Sequence, residues 1–360
     1  MTTETGIAAA RRPGSGLPPV AAPLFLFYEE GEPDRWLPLD RYPRAALRRL
    51  LRGPRQPGGH TRVFLNLCAG LDRLGVPYRV NDYAGLRRHP GEVACVIGKP
   101  PVLAKIPRGT PILFGAAGYD HPLDRPTLFA DHDVRGVLVP CEWARLMFEP
   151  YWGDKVHVWP VGIDTDGWRP APGTAKDIDV LVYDKIRCHL ARDHAAVRDP
   201  ILRDLAARGL RVATIRYGHY REERFRGLLA RSRAMVFLCE HETQGIALQQ
   251  ALSCDVPVFA WDAGGLWQDT NYHPHRVRFG PVTSVPYWDD RCGRKFADAA
   301  SFSAGFARFW SGVLQGEFSP RAYVTENLTL EAGARAYLEL VHRLTGATVA
   351  TGQRVSRTVA

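Results

Sequence analysis

Short apolar runs alternate with longer amphipathic segments along most of the chain. PLFLFY (23–28), PYRV (77–80), VACVIG (93–98), PILFG (111–115), GVLVP (136–140) and KVHVWP (155–160) are rich in branched or aromatic residues and predict strands. Between the first two, HTRVFLNLCAGLDRLG (60–75) sets Val63, Phe64, Leu67, Leu71 and Leu74 on one stripe of a helix. The periodicity lapses in DTDGWRPAPGTAKD (164–177), which predicts a linker. A second set follows, with strands at DIDVLVY (177–183), LRVATIR (210–216), RAMVFLC (233–239) and VPVFA (256–260). Helices are expected near 197–208, 222–231, 245–253 and 298–314. Strands that are nearly continuous apolar runs belong to parallel sheets covered on both faces. The pattern predicts two doubly wound α/β domains, 21–163 and 178–320, followed by a return helix over 321–345. In that helix Leu330, Ala334, Tyr337, Val341 and Leu344 share a face. The ends, 1–20 and 346–360, lack apolar periodicity and are expected to be disordered. Because such sheets bind ligands beyond the carboxyl ends of their strands, two of them face a central cleft that would hold the site.

Composition narrows the class. An apolar fraction of 45% fills two cores of this size, and no apolar run approaches the roughly 18 residues of a membrane span. Seven scattered cysteines, none in a C-x-x-C arrangement, signal neither a disulfide framework nor a zinc site. These features place the protein in the cytoplasm. The net charge of +9 suits nucleic acid, an anionic membrane or a phosphate-bearing substrate. Its densest part is DRYPRAALRRLLRGPR (40–55), with Arg44, Arg48, Arg49, Arg52 and Arg55. A solvated helix face is the first reading of that stretch, and contact with the inner face of the membrane or an anionic acceptor the second. No nucleic-acid-reading motif organises the basic residues, so nucleic acid is not expected as a partner. No G-x-G-x-x-G joins a strand to a helix, which argues against a dehydrogenase.

The most informative segment is RAMVFLCEHETQGIALQQALSCDVPVFAWDAGG (233–265), a buried strand, a polar loop, a helix, another buried strand and a second polar loop. Glu240, His241, Glu242, Thr243 and Gln244 crowd the start of a helix that begins near Gly245. Free backbone N–H groups there favour an anion, and the small glycine lets a phosphate approach. Helix capping with surface carboxylates is the alternative reading.

With these residues the chain resembles the retaining glycosyltransferases of family 4, which have the GT-B fold and a Glu-x7-Glu signature. Glu242, Gly245, Ala251, Pro257 and Val258 match that pattern, followed by Gly264 and Gly265. The resemblance implies that Glu242 contacts the donor sugar, and that the backbone of Thr243, Gln244, Gly245 and Ile246 holds its diphosphate. The second glutamate is replaced by Gln250, at the position that would meet the nucleotide's ribose hydroxyls. An amide still hydrogen-bonds a hydroxyl but carries no charge. Three further segments extend the resemblance over most of the chain: GPRQPGGHTRVFLNLCAGLDRLGVPY with Gly58 and Gly59 near the donor phosphate or acceptor, KVHVWPVGIDTDGWRP with Gly162, Ile163 and Asp164, and LTLEAGARAYLELV.

VYDKIRC ends the first strand of the second domain, where the family carries two cations for the diphosphate. Lys185 and Arg187, with Arg192 nearby, are the candidates here, and Arg216 and Tyr217 at the next strand end are weaker ones. In the first domain PILFGAAGYDHP exposes Tyr119, Asp120 and His121 after a strand, where Asp120 or His121 would orient an acceptor hydroxyl; a turn aspartate and a surface histidine are the alternative. Trp261 and Trp267 either stack on sugar or base or pack in the core, and Tyr287 and Trp288 sit in core or rim. Asp131-His132-Asp133 and Asp289-Asp290 lack a ligand frame, so no metal and no further cofactor are expected. The expectation is an enzyme that moves a sugar from a nucleotide-diphosphate donor to an acceptor hydroxyl, lipid-linked or polysaccharide, with retention implied by the resemblance. A non-catalytic sugar- or nucleotide-binding protein of the same fold is the alternative.

Overall fold

The computed structural model describes residues 23–29, 37, 40, 43–44, 46–47, 58–116 and 118–347. Residues 1–20 and most of 346–360 therefore lie outside the described residues, as do Arg48, Arg49, Arg52 and Arg55 of the basic stretch. Arg44 is described and pairs with Asp40 at 3.7 Å.

The first half of the chain alternates β1 (Leu24–Phe27), α1 (Gly59–Leu74), β2 (Tyr78–Val80), α2 (Tyr83–Arg88), β3 (Ala94–Val96), β4 (Ile112–Gly115), β5 (Val134–Val139), α3 (Glu142–Trp152) and β6 (Val156–Val158). Its strands form one sheet in the order β2-β1-β3-β4-β5-β6, every pairing parallel. All residues of β1, β3 and β4 are buried, which is why they lack the alternation of a half-exposed strand. No helix or strand occurs from Trp159 to Asp177. The second half contains β7 (Ile178–Asp184), α4 (Asp199–Ala207), β8 (Val212–Arg216), α5 (Glu222–Arg231), β9 (Ser232–Leu238), α6 (Ile246–Ser253), β10 (Val258–Trp261), β11 (Gly293–Phe296) and α7 (Ala299–Gln315). This sheet is also wholly parallel, ordered β11-β10-β9-β7-β8.

Both sheets start centrally, run one way for one strand and then reverse, so each has a topological switch point. It falls between β1 and β3 in the first and between β7 and β9 in the second. Helices on the two faces diverge at such a point and leave a crevice beyond the carboxyl ends. The loops after β7 and β9 carry Lys185 and Glu242, so the second crevice collects the residues that the sequence singled out.

The segment 321–345, expected as one return helix, is two helices, α8 (Pro320–Asn327) and α9 (Leu330–Thr345). The break at Leu328 and Thr329 has a local cause. Ile163 N–H donates to Leu328 O at 2.7 Å, and the Thr329 side chain caps α9 by accepting from Ala332 N–H at 3.1 Å. The chains pass so closely here that a Cβ on Gly162 would stand 2.2 Å from the Thr329 carbonyl oxygen. Helix α8 packs with the second sheet through Tyr323 and Val324, whereas α9 packs against α1 and the first sheet through Ala334, Tyr337 and Val341.

A further element was not expected. Between β10 and β11 some thirty residues without helix or strand leave the second sheet and cross to the first. Trp267, Tyr272, Val277 and Val282 of this strap belong to the same apolar core as Phe114, Met147 and Phe148. Tyr272 Oη donates to Asp124, and Tyr287 Oη donates to the Pro140 carbonyl. Trp261, by contrast, is a core residue whose Nε1 donates to Ala297 O at 2.9 Å.

Candidate functional site at the cleft

The register of β7 and β9 sets Asp184 beside Leu238, so the two loops leave the sheet side by side. Lys185 N–H donates to Leu238 O at 2.8 Å, which turns its side chain toward the next loop. There the Lys185 ammonium donates to Glu242 Oε2 in an ion pair whose side chains are each only 10% exposed. Burial disfavours both charges, but each supplies the other's counter-ion. Burial pushes the Glu242 carboxyl up, and Lys185 and Arg187 outweigh it, so its pKa ends below the ordinary glutamate value. Burial pushes Lys185 down, and Glu242 outweighs that, holding the ammonium above the ordinary lysine value. The Tyr217 ring covers the ammonium at 4.6 Å.

Arg187 lies beside the pair, its guanidinium donating to His241 O at 3.2 Å. Its loop is held by Glu240, whose Oε1 accepts from Arg187 N–H at 2.7 Å and Cys188 N–H at 2.8 Å. Glu240 thus joins the two strand-end loops and positions the cations. Arg192 instead pairs with Asp193 and takes no part.

Helix α6 begins at Gly245, whose φ of +71° is a left-handed conformation that L side chains rarely adopt. No side chain caps this end, which leaves backbone N–H groups available to an anion. Thr243 lines the cleft. Gln244 has a different task from the one expected: its amide accepts from Val161 N–H and donates to Val161 O, both at 3.2 Å, tying the loop to the first half of the chain. Ile246 packs between the cores. Gly58 precedes α1 in extended conformation, and Gly59 opens that helix with nothing within 4 Å of where a Cβ would stand. The two residues that follow closely, His60 and Arg62, face the cleft.

The space at the cleft is divided. One cavity of about 250 Å³ is lined by Glu242, Thr243, Arg187, His241 and Asp120, with Phe114, Trp143, Met147, Phe148 and Trp267 among its apolar walls. A second, of about 370 Å³, is lined by Gln250, Asn66, Arg62, Arg226, Glu222 and Trp168, among others. Glu242 and Gln250 therefore face different cavities. Gln250 is 93% buried, being 7% exposed, and among the described residues its amide has no hydrogen-bond partner. Arg62 of α1 and Glu222 of α5 form an ion pair beside it, across the two halves.

Asp120 and His121 part company. Asp120 lines the smaller cavity, and its carboxyl is pushed up by lost hydration and then by Asp269 and Asp124. His121 is buried against Trp267, Tyr151 and Tyr272, and its Nδ1 accepts from Leu123 N–H at 3.2 Å. That contact makes it a turn cap within an aromatic cluster, away from the cavity. Two lining residues escaped the sequence reading, Asp269 on the strap and Trp143 on α3, which donates from Nε1 to Glu242 O at 3.0 Å. Only the density of aromatic residues in 267–288 hinted at a packed segment there. Among the described residues no group of His, Cys, Asp and Glu has a metal-binding arrangement; Asp131, Asp133 and Asp289 pair with Arg125, Arg135 and Arg291. No described helix is long and apolar enough to cross a membrane.

No family model matches the chain, and no curated protein matches it. Among solved structures it is similar to AviGT4, a glycosyltransferase involved in avilamycin A biosynthesis. That likeness covers 91% of this chain and 100% of the other, at 18% identity and a TM-score of 0.51. It is also similar to the apo form of WaaB, a lipopolysaccharide outer core galactosyltransferase, over 89% and 99% of the two chains at 10% identity and a TM-score of 0.48. The chain has the GT-B fold, two parallel α/β sheets with flanking helices that face a central cleft.

Proposed function

We propose that the protein is a glycosyltransferase that moves a sugar from a nucleotide-diphosphate donor to an acceptor hydroxyl. The observation that carries this reading is the buried Lys185–Glu242 pair at the switch point, beside Arg187 and the uncapped start of α6. Lys185, Arg187 and the N–H groups near Gly245 are placed to stabilise charge developing on a leaving diphosphate, and Glu242 to orient the sugar. In the reaction the bond from the anomeric carbon to the diphosphate oxygen breaks, and a bond to the acceptor oxygen forms. The acceptor's hydroxyl proton leaves with the diphosphate. Attack on the face that the diphosphate leaves would retain configuration, in keeping with the family resemblance.

The nucleoside would lie toward the larger cavity, where the unpartnered Gln250 amide meets its ribose. Gln250→Glu is expected to change nucleotide affinity severalfold while leaving the fold intact; titration checks this, and indifference would remove Gln250 from the donor site. The reading as a whole is tested by a thermal-shift panel of UDP, GDP, ADP, TDP and CMP sugars, followed by turnover of any hit. A ligand at about 100 times its Kd stabilises by about 2.7 kcal/mol. Stabilisation by one sugar nucleotide with no hydrolysis or transfer would favour a binding protein instead. Since cationic side chains face the diphosphate, EDTA is expected to leave donor binding unchanged; loss on chelation with recovery on adding magnesium would overturn that assignment.

A further inference from the structure

The smaller cavity has walls of contrasting chemistry. Phe114, Trp143, Met147 and Phe148 make one side apolar, while Asp120 and Asp269 bring two carboxylates to the same space. Among the described residues the Asp120 carboxylate has no hydrogen bond or ion pair. Asp269 accepts only the backbone N–H of Asn271, at 2.8 Å, and has no cationic partner. His60 and Lys99 act on Asp120 only at longer range, less strongly than the repulsion from Asp269 and Asp124. Arg187, the guanidinium on the cavity wall, is directed to the His241 carbonyl, and Lys185 is taken by Glu242. Two uncompensated carboxylates sharing a cavity raise each other's energy, and a ligand carrying a cation would relieve both.

A second observation points independently to a ligand. The His241 ring lines this cavity and is 95% buried, being 5% exposed. Its Nε2 lies 2.9 Å from the Gln268 carbonyl and 3.1 Å from the Gln268 N–H, so either tautomer is served on that side. Nδ1 has no partner in either case. Buried polar atoms are nearly always hydrogen-bonded, so an orphan in a cavity wall is best explained by a group that arrives with the substrate. The volume, about 250 Å³, is below the roughly 300 Å³ at which pockets for drug-sized ligands begin. It suits a single ring resting on aromatic walls and not a segment of polymer.

We propose that the acceptor is a compact, amine-bearing ring, of the amino-sugar or aminocyclitol class, whose protonated amine lies between Asp120 and Asp269. A hydroxyl of the same ring meets the His241 Nδ1 and is the one presented to the donor. This rests on the glycosyl-transfer reading, whose bond changes it leaves as they stand. It makes the strap part of the acceptor site, because Asp269 and Trp267 both come from it.

The test uses streptamine and scyllo-inositol, which differ only in two amines that replace hydroxyls. Calorimetry on the full chain is expected to show streptamine bound at least tenfold more tightly. Asp120→Asn and Asp269→Asn should each remove most of that preference, circular dichroism verifying that both variants are folded. Equal affinity for the two probes, or a preference that survives both substitutions, overturns the proposal. Nucleotide sugars are titrated in parallel to separate the two readings. Nucleotide binding without amine preference sinks the acceptor class and spares glycosyl transfer. An amine preference in a protein that binds no nucleotide overturns the role of the ring as acceptor.

Discussion

Glu242→Gln is expected to reduce sugar transfer by at least tenfold, about 1.4 kcal/mol of barrier per factor of ten, while nucleotide-diphosphate affinity holds or tightens. The side chain keeps its size, and the Trp143 indole still has the Glu242 backbone carbonyl to bond. What changes is the charge beside Lys185. In the resting protein Glu242 is the ammonium's counter-ion, so a diphosphate arriving at Lys185 must share it with a carboxylate that repels phosphate. Removing that carboxylate leaves a buried cation whose best available partner is the diphosphate. The sugar loses its orienting carboxylate in the same step, which divides binding from turnover. Initial rates with the identified donor, set beside calorimetric titration of the matching nucleotide diphosphate, measure the two separately. Near-wild-type transfer would show that Glu242 does not touch the sugar; weakened diphosphate binding would show that it helps to hold the anion.

The sequence revealed the pair because the rules that place it are local. Apolar runs of strand length at 177–183 and 233–239 end in polar loops, and in a parallel sheet both loops must open on the same edge. That Lys185 and Glu242 meet there needs only the adjacency of β7 and β9, which the fold supplies. The helix start at Gly245 was legible for a similar reason, since the strand-loop-helix pattern locates it and glycine permits its positive φ. The strap was not legible. Its aromatic residues have neither a period of two nor one of 3.6, because they pack against side chains more than a hundred positions away. Its Trp267 and Tyr272 rings enclose His121, so a histidine that local sequence places at a strand end becomes part of a core. Gln244 shows the same limit. Nothing near it in sequence foretells that its amide will bond the backbone of Val161 across the domain seam.

Lys185→Met is expected to destabilise the protein by about 3 kcal/mol at neutral pH, and a second substitution, Glu242→Leu, to restore most of the loss. A buried pair that loses one partner leaves an uncompensated charge, costing roughly 3–5 kcal/mol, whereas replacing both by apolar groups is often neutral. Arg187 is the nearest remaining cation, but its guanidinium is directed to the His241 carbonyl. The pH dependence should change sign. In the wild-type protein the folded carboxyl has a pKa below that of an unfolded glutamate, about 4.3. Its contribution is therefore fully present above that value and is lost as pH falls through the folded pKa. In Lys185→Met burial acts without its counterweight and lifts the Glu242 pKa above the unfolded value. The carboxyl then favours folding only while protonated, so stability declines as pH rises from about 4.3. The gap between wild type and variant should be narrow at acid pH and widest near neutrality, and the double variant should show neither trend. Denaturant unfolding of the four proteins across this range measures it. If Lys185→Met were as stable as wild type at neutral pH, or if Glu242→Leu failed to recover the loss, the ion pair would not be the electrostatic centre of this cleft.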